Sequence, residues 1–341
     1  MLTLDPIELK RRFSLRLSLF ELAALITAVC FAVWTVIQHA RDPISGLLND
    51  YTVFTNVSRG DLHGYYYSLW AFPLFVPFAM LPFDVGAVLW QLINIAGMFF
   101  SARVFGGKSA ALLLSYQMFV DLYFGQVSGV LCLGIALMWI GLANKKWWLA
   151  GLGLSIAIIK PQVGVIAGFF WLYALQDSYR NKTGKLITCC LSTIVPASAI
   201  LLSFLIQPHW LTDILVRLRT APPNNVANIT AWDYLGAWGL LALIPPVLLP
   251  LTPRNRLLAF ISAWLISAPY FQPYDMAILF MTLPNWLPLL SWIAVPFGYP
   301  QPALPLIFLI LLTLFYLWQI TPGVIQLFTR SKSLQDDRIN V

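Results

Sequence analysis

FELAALITAVCFAVWTVI, residues 20–37, is the first of several apolar runs that decide the fold. A run of about 18–20 apolar residues is long enough to cross a bilayer as a helix. A second example is LITCCLSTIVPASAILLSFLI, residues 186–206. Of the 341 residues, 59% are hydrophobic and 10% are charged, whereas a soluble domain carries about 25% charged residues. The sequence therefore predicts an all-α polytopic membrane protein.

The basic residues indicate membrane orientation, and we expect no nucleic-acid partner despite the net charge of +7. Lysine and arginine are enriched in the cytoplasmic loops of membrane proteins. Sixteen of the 21 basic residues fall in six clusters: Lys10–Arg16, Arg103/Lys108, Lys145/Lys146, Arg180/Lys182/Lys185, Arg254/Arg256 and Arg330/Lys332/Arg338. Several acids fall in the segments between these clusters, namely Asp42, Asp50, Asp61, Asp84, Asp213, Asp233 and Asp275. This segregation predicts that the clusters are cytoplasmic.

Charge parity also predicts the path of the chain after the first span, at about 18–39. For Arg103 and Lys108 to be cytoplasmic, one full crossing fits between residues 65 and 103, and we place it at about 84–103. The preceding segment, 65–83, contains three prolines. Proline interrupts helix hydrogen bonding, so this segment is predicted to form juxtamembrane or re-entrant helices. The alternative is an ordinary second span there.

The same bookkeeping divides the chain into five parts. They are a cytoplasmic N-terminus (1–17), a transmembrane module (18–207) with its first external loop at 40–83, a second external loop (208–236), a variable transmembrane module (237–328) and a cytoplasmic tail (329–341). About 10–12 transmembrane helices are expected. Several are short, which suits tilted or broken helices around a cavity.

Polar groups from four distant segments fall at the predicted outer face, and polar groups at membrane depth indicate function because they are costly there. The segments carry Asp50 in the first external loop, Asp121 and Gln126 in FVDLYFGQVSG, Lys160 and Gln162 in AIIKPQVGV, and Tyr274 and Asp275 in APYFQPYDMAIL. Together they predict a site for an amphipathic ligand.

The chemistry of these groups suggests their roles. The Asp50 carboxylate can accept a proton from an attacking hydroxyl. The Lys160 ammonium can bind a lipid phosphate. The remaining groups are Arg217 and Arg219, which can close over an anion, Gln126, Gln162 and Asp275, which offer hydrogen bonds to sugar hydroxyls, and Tyr65 and Tyr274, which can pack on a sugar ring.

Three of the polar residues also have a simpler interpretation. Asp50 is alternatively a solvated loop acid. Lys160 is alternatively an anchor that reaches the headgroups. Asp121 is alternatively a residue that satisfies backbone groups or pairs with a neighbouring helix.

The order of the motifs NDYTVF, RGDLHGYYYSLWAFPLFVPFAMLPF, FGQVSGVL, IIKPQVGV and QPYDMAIL, over about residues 49–280, resembles glycosyltransferase family 87. The resemblance implies the C-type glycosyltransferase fold, with juxtamembrane helices in the first external loop, and a polyprenyl-phosphate sugar as donor. The family includes mannosyltransferases. Its plan of seven spans before a large external loop also agrees with the parity of the charges.

Individual positions match the family pattern. The acid and aromatic that open its first external loop match Asp50-Tyr51, and in this fold that acid is the catalytic base. The family's GQ and KP pairs match Gly125-Gln126 and Lys160-Pro161. Its tyrosine and proline segment matches Tyr65 through Pro77, although Phe72-Pro73 stands where the family has paired prolines.

The resulting hypothesis is an inverting hexosyltransferase, with mannose expected, that works in the cell membrane at its extracytoplasmic face. Asp50 would be the base, and Lys160 with Arg217 or Arg219 would stabilise the leaving lipid phosphate. Gln126, Gln162, Tyr65, Tyr274 and Asp275 would bind the sugar. The partners would be membrane lipids, the lipid-linked donor, and a lipid or glycan acceptor.

We expect no cofactor and no metal. The lipid-linked sugar is a co-substrate, the sequence has no glycine-rich phosphate loop, and one loop acid cannot build the oxygen cage that Mg²⁺ prefers. Two other functions stay open at this point. In a transporter or flippase, Asp121 and Lys160 would be coupling or substrate-binding groups. A non-catalytic scaffold would present residues 208–236 to a partner.

Overall fold

The computed structural model shows an all-α protein, as the sequence predicts. The residues it describes are 17–61, 64–65, 67–180, 186–213, 216, 229–297 and 303–339. Within these residues every regular element is an α-helix or a 3₁₀ helix, and no β-strand occurs. The predicted fold class is therefore confirmed.

The chain divides into two compact units. The larger unit comprises Leu2–Pro223 and Tyr274–Val295, and the smaller one contains Asn224–Pro273 and Pro296–Val341. The segment from Tyr274 thus returns to the larger unit after the chain has left it. The predicted boundaries at residues 17, 207, 236 and 328 concern position relative to the membrane, and they stay predictions.

Within the described residues, the larger unit contains a series of α-helices and a short later one. They are α1 (Leu19–Arg41), α2 (Asn49–Val57), α3 (Phe72–Ala79), α4 (Phe83–Phe105), α5 (Ser109–Leu113), α6 (Tyr116–Phe124), α7 (Ser128–Ala143), α8 (Trp147–Ala157), α9 (Pro161–Arg180), α10 (Leu186–Ile206) and α14 (Ala277–Phe280). Three 3₁₀ helices, at Leu69–Ala71, Pro273–Met276 and Leu287–Phe297, lie before α3 and on either side of α14.

Few of these helices are long enough to cross a bilayer alone. In the described part of the chain, α1, α4 and Ile307–Leu327 reach the necessary length and apolar character. Helices α6 and α7 reach it only together, and they are bent by 116°. Six further apolar stretches have 10–17 residues. Length and composition thus give three or four spans, so the multi-pass class is supported and the count of 10–12 stays a prediction.

The proline-rich segment after α2 forms short helices, as predicted. A 3₁₀ turn at Leu69–Ala71 leads into α3, and together they cover 11 residues from Leu69 to Ala79. Pro73 stands in the first turn of α3, where a missing N–H has no partner to lose. The alternative of an ordinary second span over this segment is not observed.

The first turn of α1 anchors two other helices. Ser18 and Glu21 form a capping box, in which each side chain binds the other residue's backbone N–H. The Glu21 carboxylate also accepts hydrogen bonds from Arg103 of α4, at 3.0 Å, and from the Ser109 hydroxyl of α5, at 2.6 Å. One acid therefore joins the ends of α1, α4 and α5.

Helices α4 and α7 cross at two glycines. A Cβ atom on Gly97 would lie 2.3 Å from the carbonyl oxygen of Gly129, and one on Gly129 would lie 2.1 Å from that of Asn94. The close approach lets the Asn94 side chain accept hydrogen bonds from the N–H groups of Gly129, at 2.9 Å, and Val130, at 3.3 Å. Asn94 thereby satisfies N–H groups in the first turn of α7 that have no partner within that helix.

The smaller unit consists of α11 (Trp232–Leu235), a 3₁₀ helix (Gly236–Leu243), α12 (Ile244–Leu248), α13 (Pro253–Ser267) and α15 (Ala303–Ile339). The Arg256 guanidinium donates to the carbonyl oxygens of Pro246, Val247 and Leu249, which end α12. The Tyr316 hydroxyl donates to the carbonyl of Ala242 at 2.8 Å. These bonds tie α13 and α15 to the irregular helical segment that precedes α13.

Replacing Gly97 by alanine should destabilise the protein, because the new methyl group would overlap the backbone of α7. Overpacking of this kind costs about 1–3 kcal/mol. Gly168→Ala is the matched control, since a Cβ on Gly168 meets no atom within 4 Å. The measurement is the thermal unfolding midpoint of each purified variant in detergent. Equal midpoints for the two variants would contradict the tight crossing of α4 and α7.

Candidate functional site

The start of α2 is held against the elbow that joins α6 to α7. Leu48 precedes α2 with φ +56°, a conformation that costs a non-glycine residue about 1–3 kcal/mol. Its N–H donates to the carbonyl of Tyr123 at 2.8 Å. At the elbow, Gly125 has φ +68°, and a Cβ there would lie 2.7 Å from Cβ of Tyr51. The elbow therefore fixes the position of Asp50.

Asp50 is the end of a hydrogen-bonded chain with Gln126 and Tyr67. The Gln126 amide donates through Nε2 to Oδ2 of Asp50, and the Tyr67 hydroxyl donates to Oε1 of Gln126 at 3.0 Å. Burial, and then the charges of Asp50 and Asp275, raise the pKa of Tyr67 well above its usual value. Tyr67 consequently stays a neutral donor, which turns the NH₂ group of Gln126 towards Asp50.

Trp90 of α4 and an aromatic cluster support this chain. Trp90 Nε1 donates to the carbonyls of Gly125, at 3.0 Å, and Gln126, at 3.1 Å. Phe54 and Phe75 stack with their ring centroids 4.5 Å apart. The other rings in contact with this pair are Tyr65, Tyr67 and Trp90. Aromatic contacts of this kind immobilise the loop that carries Tyr67.

Lys160 lies at the break between α8 and α9, and it is buried in an ion pair. Its Nζ lies 2.5 Å from Oδ1 of Asp275 and 4.9 Å from the centroid of the Tyr274 ring. The exposed fractions of the two charged side chains are 6% and 0%. This burial does not fit a lysine that anchors to lipid headgroups.

The loop that carries Tyr67 also contacts the break at Lys160. The backbone N–H of Ser68 donates to the carbonyl of Ile159 at 2.8 Å. The Ser68 hydroxyl donates to the carbonyl of Ile158 at 2.7 Å. The two bonds from Ser68 thus join the loop of Tyr67 to the helix break that carries Lys160, so the Asp50 network and the Lys160 ion pair belong to one site.

The Lys160 ammonium interacts electrostatically with three carboxylates, those of Asp50, Asp121 and Asp275, and their exposure differs. Burial raises the pKa of Asp50 to about 7, and the charge of Lys160 opposes the rise. The charges of Asp275 and Lys160 also act on Asp121. Asp121 and Asp275 are buried, whereas Asp50 keeps partial exposure. Of these three acids, Asp50 is the one with solvent exposure.

The structure brings together most of the residues that the sequence indicates. Asp50, Gln126, Lys160, Tyr274 and Asp275 lie in the assembly just described. The Tyr65 hydroxyl donates to the carbonyl of Ser68 at 3.0 Å, so this buried side chain shapes the loop. Gln162 is partly exposed in the first turn of α9. Arg217 and Arg219 lie outside the described residues.

Sequence reasoning missed Tyr67 and Trp90. Tyr67 is the last of three consecutive tyrosines, and no pattern in the sequence distinguishes it from its neighbours. Trp90 lies within the apolar run of α4, where a tryptophan usually signals packing. Among the described residues, no three histidine, cysteine or acidic side chains are arranged to hold a metal ion.

Comparison with known proteins gives one match. The model of glycosyltransferase family 87 matches residues 65–249, which is more than half of the chain. Searches of curated proteins and of solved structures returned no match. The matched range contains Tyr67, Gln126 and Lys160, whereas Asp50 and Asp275 lie on either side of it.

Breaking the ion pair from one side should cost more than removing it whole. Lys160→Met and Asp275→Leu should each lower the free energy of unfolding by about 3–5 kcal/mol, because each leaves one buried charge unpaired. The double variant should lose less than the sum of the two. Thermal or denaturant unfolding in detergent measures the three variants, with Lys146→Met at an exposed lysine as control. Strictly additive losses would show that the pair is not coupled.

Proposed function

The chain belongs to glycosyltransferase family 87, which makes it a membrane glycosyltransferase, and we propose that it transfers a hexose, with mannose expected, from a polyprenyl-phosphate donor. The acceptor is a hydroxyl group of a lipid or a glycan. The family match favours a transferase over the transporter that the sequence alone left open. It also favours an enzyme over a passive scaffold.

The observation that carries the mechanism is the setting of Asp50. Gln126 holds one carboxylate oxygen, Oδ2, and we assign Oδ1 to the hydroxyl of the acceptor. A general base works best when its pKa lies near the operating pH, and the pKa of Asp50 is raised to about 7 by burial. Partial exposure lets the acceptor approach it.

The transfer is a single displacement. Asp50 takes the proton of the acceptor hydroxyl while the hydroxyl oxygen forms a bond to the anomeric carbon. The bond between that carbon and the phosphate oxygen breaks, and the polyprenyl phosphate leaves with the electron pair. The attack comes from the face opposite the leaving group, so the anomeric configuration inverts. The leaving phosphate is already ionised and needs no general acid.

Lys160 is the cation that we assign to the leaving phosphate. A fixed positive charge near a developing negative charge lowers the barrier without reorganisation. Without a bound donor, the Lys160 ammonium is paired with Asp275. Asp275 therefore holds Lys160 in position, and the donor phosphate then binds the same ammonium. Arg217 and Arg219 are proposed to add charge from the second loop.

The remaining assignments follow from the same scheme. Gln126, Gln162 and Asp275 are proposed to bind sugar hydroxyls, and Tyr65 and Tyr274 to shape the sugar pocket by packing. We place the reaction at the extracytoplasmic face of the cell membrane, because the charge pattern puts the loop of Asp50 outside. The lipid-linked sugar is a co-substrate, and the scheme uses no cofactor and no metal.

Asp50→Asn should abolish most transfer from a radiolabelled polyprenyl-phosphate sugar, because asparagine cannot accept the proton. The loss of a general base costs about 10²–10⁴-fold in rate. Asp42→Asn is the control, since Asp42 is an exposed acid before α2 whose carboxylate binds only the local N–H of Ile44 among the described contacts. Near-normal turnover by folded Asp50→Asn would remove Asp50 from the mechanism.

The rate should also depend on pH through Asp50. The raised pKa means that the carboxyl keeps its proton up to about pH 7, and the protonated form is not a base. The ratio kcat/KM should therefore rise with pH, with a midpoint near 7, and then level off. Lys160→Met should move the midpoint upwards, because it removes the charge that favours the carboxylate. A flat profile from pH 5 to 8 would contradict this assignment.

A further inference from the structure

Helix α6 carries two buried polar side chains, and within the described residues one of them, Gln117, has no hydrogen-bond partner. Gln117 is 0% exposed and Asp121 is 1% exposed. No described residue makes a hydrogen bond with the Gln117 amide atoms, and Ser128 interacts with the Asp121 carboxylate through its hydroxyl and its backbone N–H. A buried polar group left unpaired costs about 1–3 kcal/mol. The unpaired Gln117 amide, four residues from the buried Asp121 carboxylate, therefore indicates a missing polar partner.

The two side chains share one face of α6. They are four residues apart, a spacing that makes side chains neighbours on a helix, and their Cα atoms are separated by about 6 Å along the axis. Gln117 offers both donors and acceptors, whereas the Asp121 carboxylate offers acceptors. Together they present a short polar strip in a largely apolar helix.

The Asp121 end of this strip adjoins the site of Asp50. The backbone carbonyl of Asp121 accepts the N–H of Gln126 at 2.9 Å, and the Gln126 side chain contacts Asp50. Buried Ser128, at the start of α7, is the hydroxyl that faces the Asp121 carboxylate. The strip therefore leads away from the proposed base, along α6, to Gln117.

We propose that Gln117, Asp121 and Ser128 form a subsite that binds hydroxyl groups of the transferred sugar. This inference rests on the proposed sugar transfer and extends it to specificity. Sugar hydroxyls both donate and accept, which matches an amide, a carboxylate and a serine hydroxyl. Discrimination between sugars is strong where a site is built to bind a particular hydroxyl, because the wrong sugar leaves buried groups unpaired.

Charge excludes an anionic group from this position. Two carboxylates, Asp121 and Asp275, lie near one ammonium, Lys160, which is already paired with Asp275. A phosphate placed beside Asp121 would meet repulsion, whereas a neutral polyol meets none. A neutral sugar therefore fits beside Asp121 better than the donor phosphate does.

The test compares the binding of polyprenyl-phosphate mannose with that of sugar-free polyprenyl phosphate. The wild-type protein should bind the sugar-bearing lipid more tightly. Gln117→Leu and Asp121→Asn should each reduce this preference about tenfold, with the affinity for the sugar-free lipid unchanged. Gln91→Leu is the matched control, because Gln91 is an equally buried glutamine whose amide pairs with Thr35 of α1. It should keep the preference of the wild type.

The competing occupant is ordered water, which could satisfy the same groups. In that case Gln117→Leu and Asp121→Asn would change thermal stability but leave the preference for the sugar-bearing lipid intact, and the subsite would be overturned. An absence of this preference in the wild-type protein would overturn it as well. The binding measurement needs no turnover. Failure of the proposed function is a separate result, seen as wild-type protein that binds the donor without transferring its sugar.

Discussion

The pairing of Lys160 with Asp275 is the constraint on which the site depends. The two residues are 115 positions apart in sequence, and their side chains are almost completely buried. Burying either charge without the other would cost several kcal/mol. The helix break at Lys160 and the segment at Asp275 must therefore pack together for the site to be stable. Because Lys160 lies at a helix break and Asp275 lies in the segment that returns to the larger unit, the pair fixes both. Asp50 and Asp121 then lie in the field of one shared cation.

The regular parts of the fold follow from run length in the sequence. The first span was predicted at about 18–39 and is α1, Leu19–Arg41; the next was predicted at about 84–103 and is α4, Phe83–Phe105. Long apolar runs bordered by charged residues or proline define the ends of a helix closely. By contrast, the segment 109–124 is divided into α5 and α6, because the Ser115 side chain accepts the N–H of Met118 and starts a new helix. A single serine in an apolar run is not enough to predict a helix N-cap.

The sequence indicates which residues belong to the site, but it does not indicate which of them form hydrogen bonds or ion pairs with each other. The motifs around Asp50, Gln126, Lys160 and Asp275 marked residues that the structure does bring together. Which atoms pair depends on tertiary packing, so nothing in KPQ or PYD signalled that Lys160 binds Asp275. Gln117 gave no signal, since its neighbours read as ordinary helix. Asp121 was visible in the sequence, but its burial beside Ser128 became apparent only from the tertiary structure.

The two bonds from Ser68 to Ile158 and Ile159 bear on how the chain assembles. Backbone carbonyls at a helix break need partners where water is scarce, and here a loop made much earlier in synthesis supplies them. The ribosome produces the N-terminal part first. The segment around Ser68 therefore cannot make these bonds until some ninety further residues have been synthesised. Folding of the first loop thus depends on insertion of the later helices.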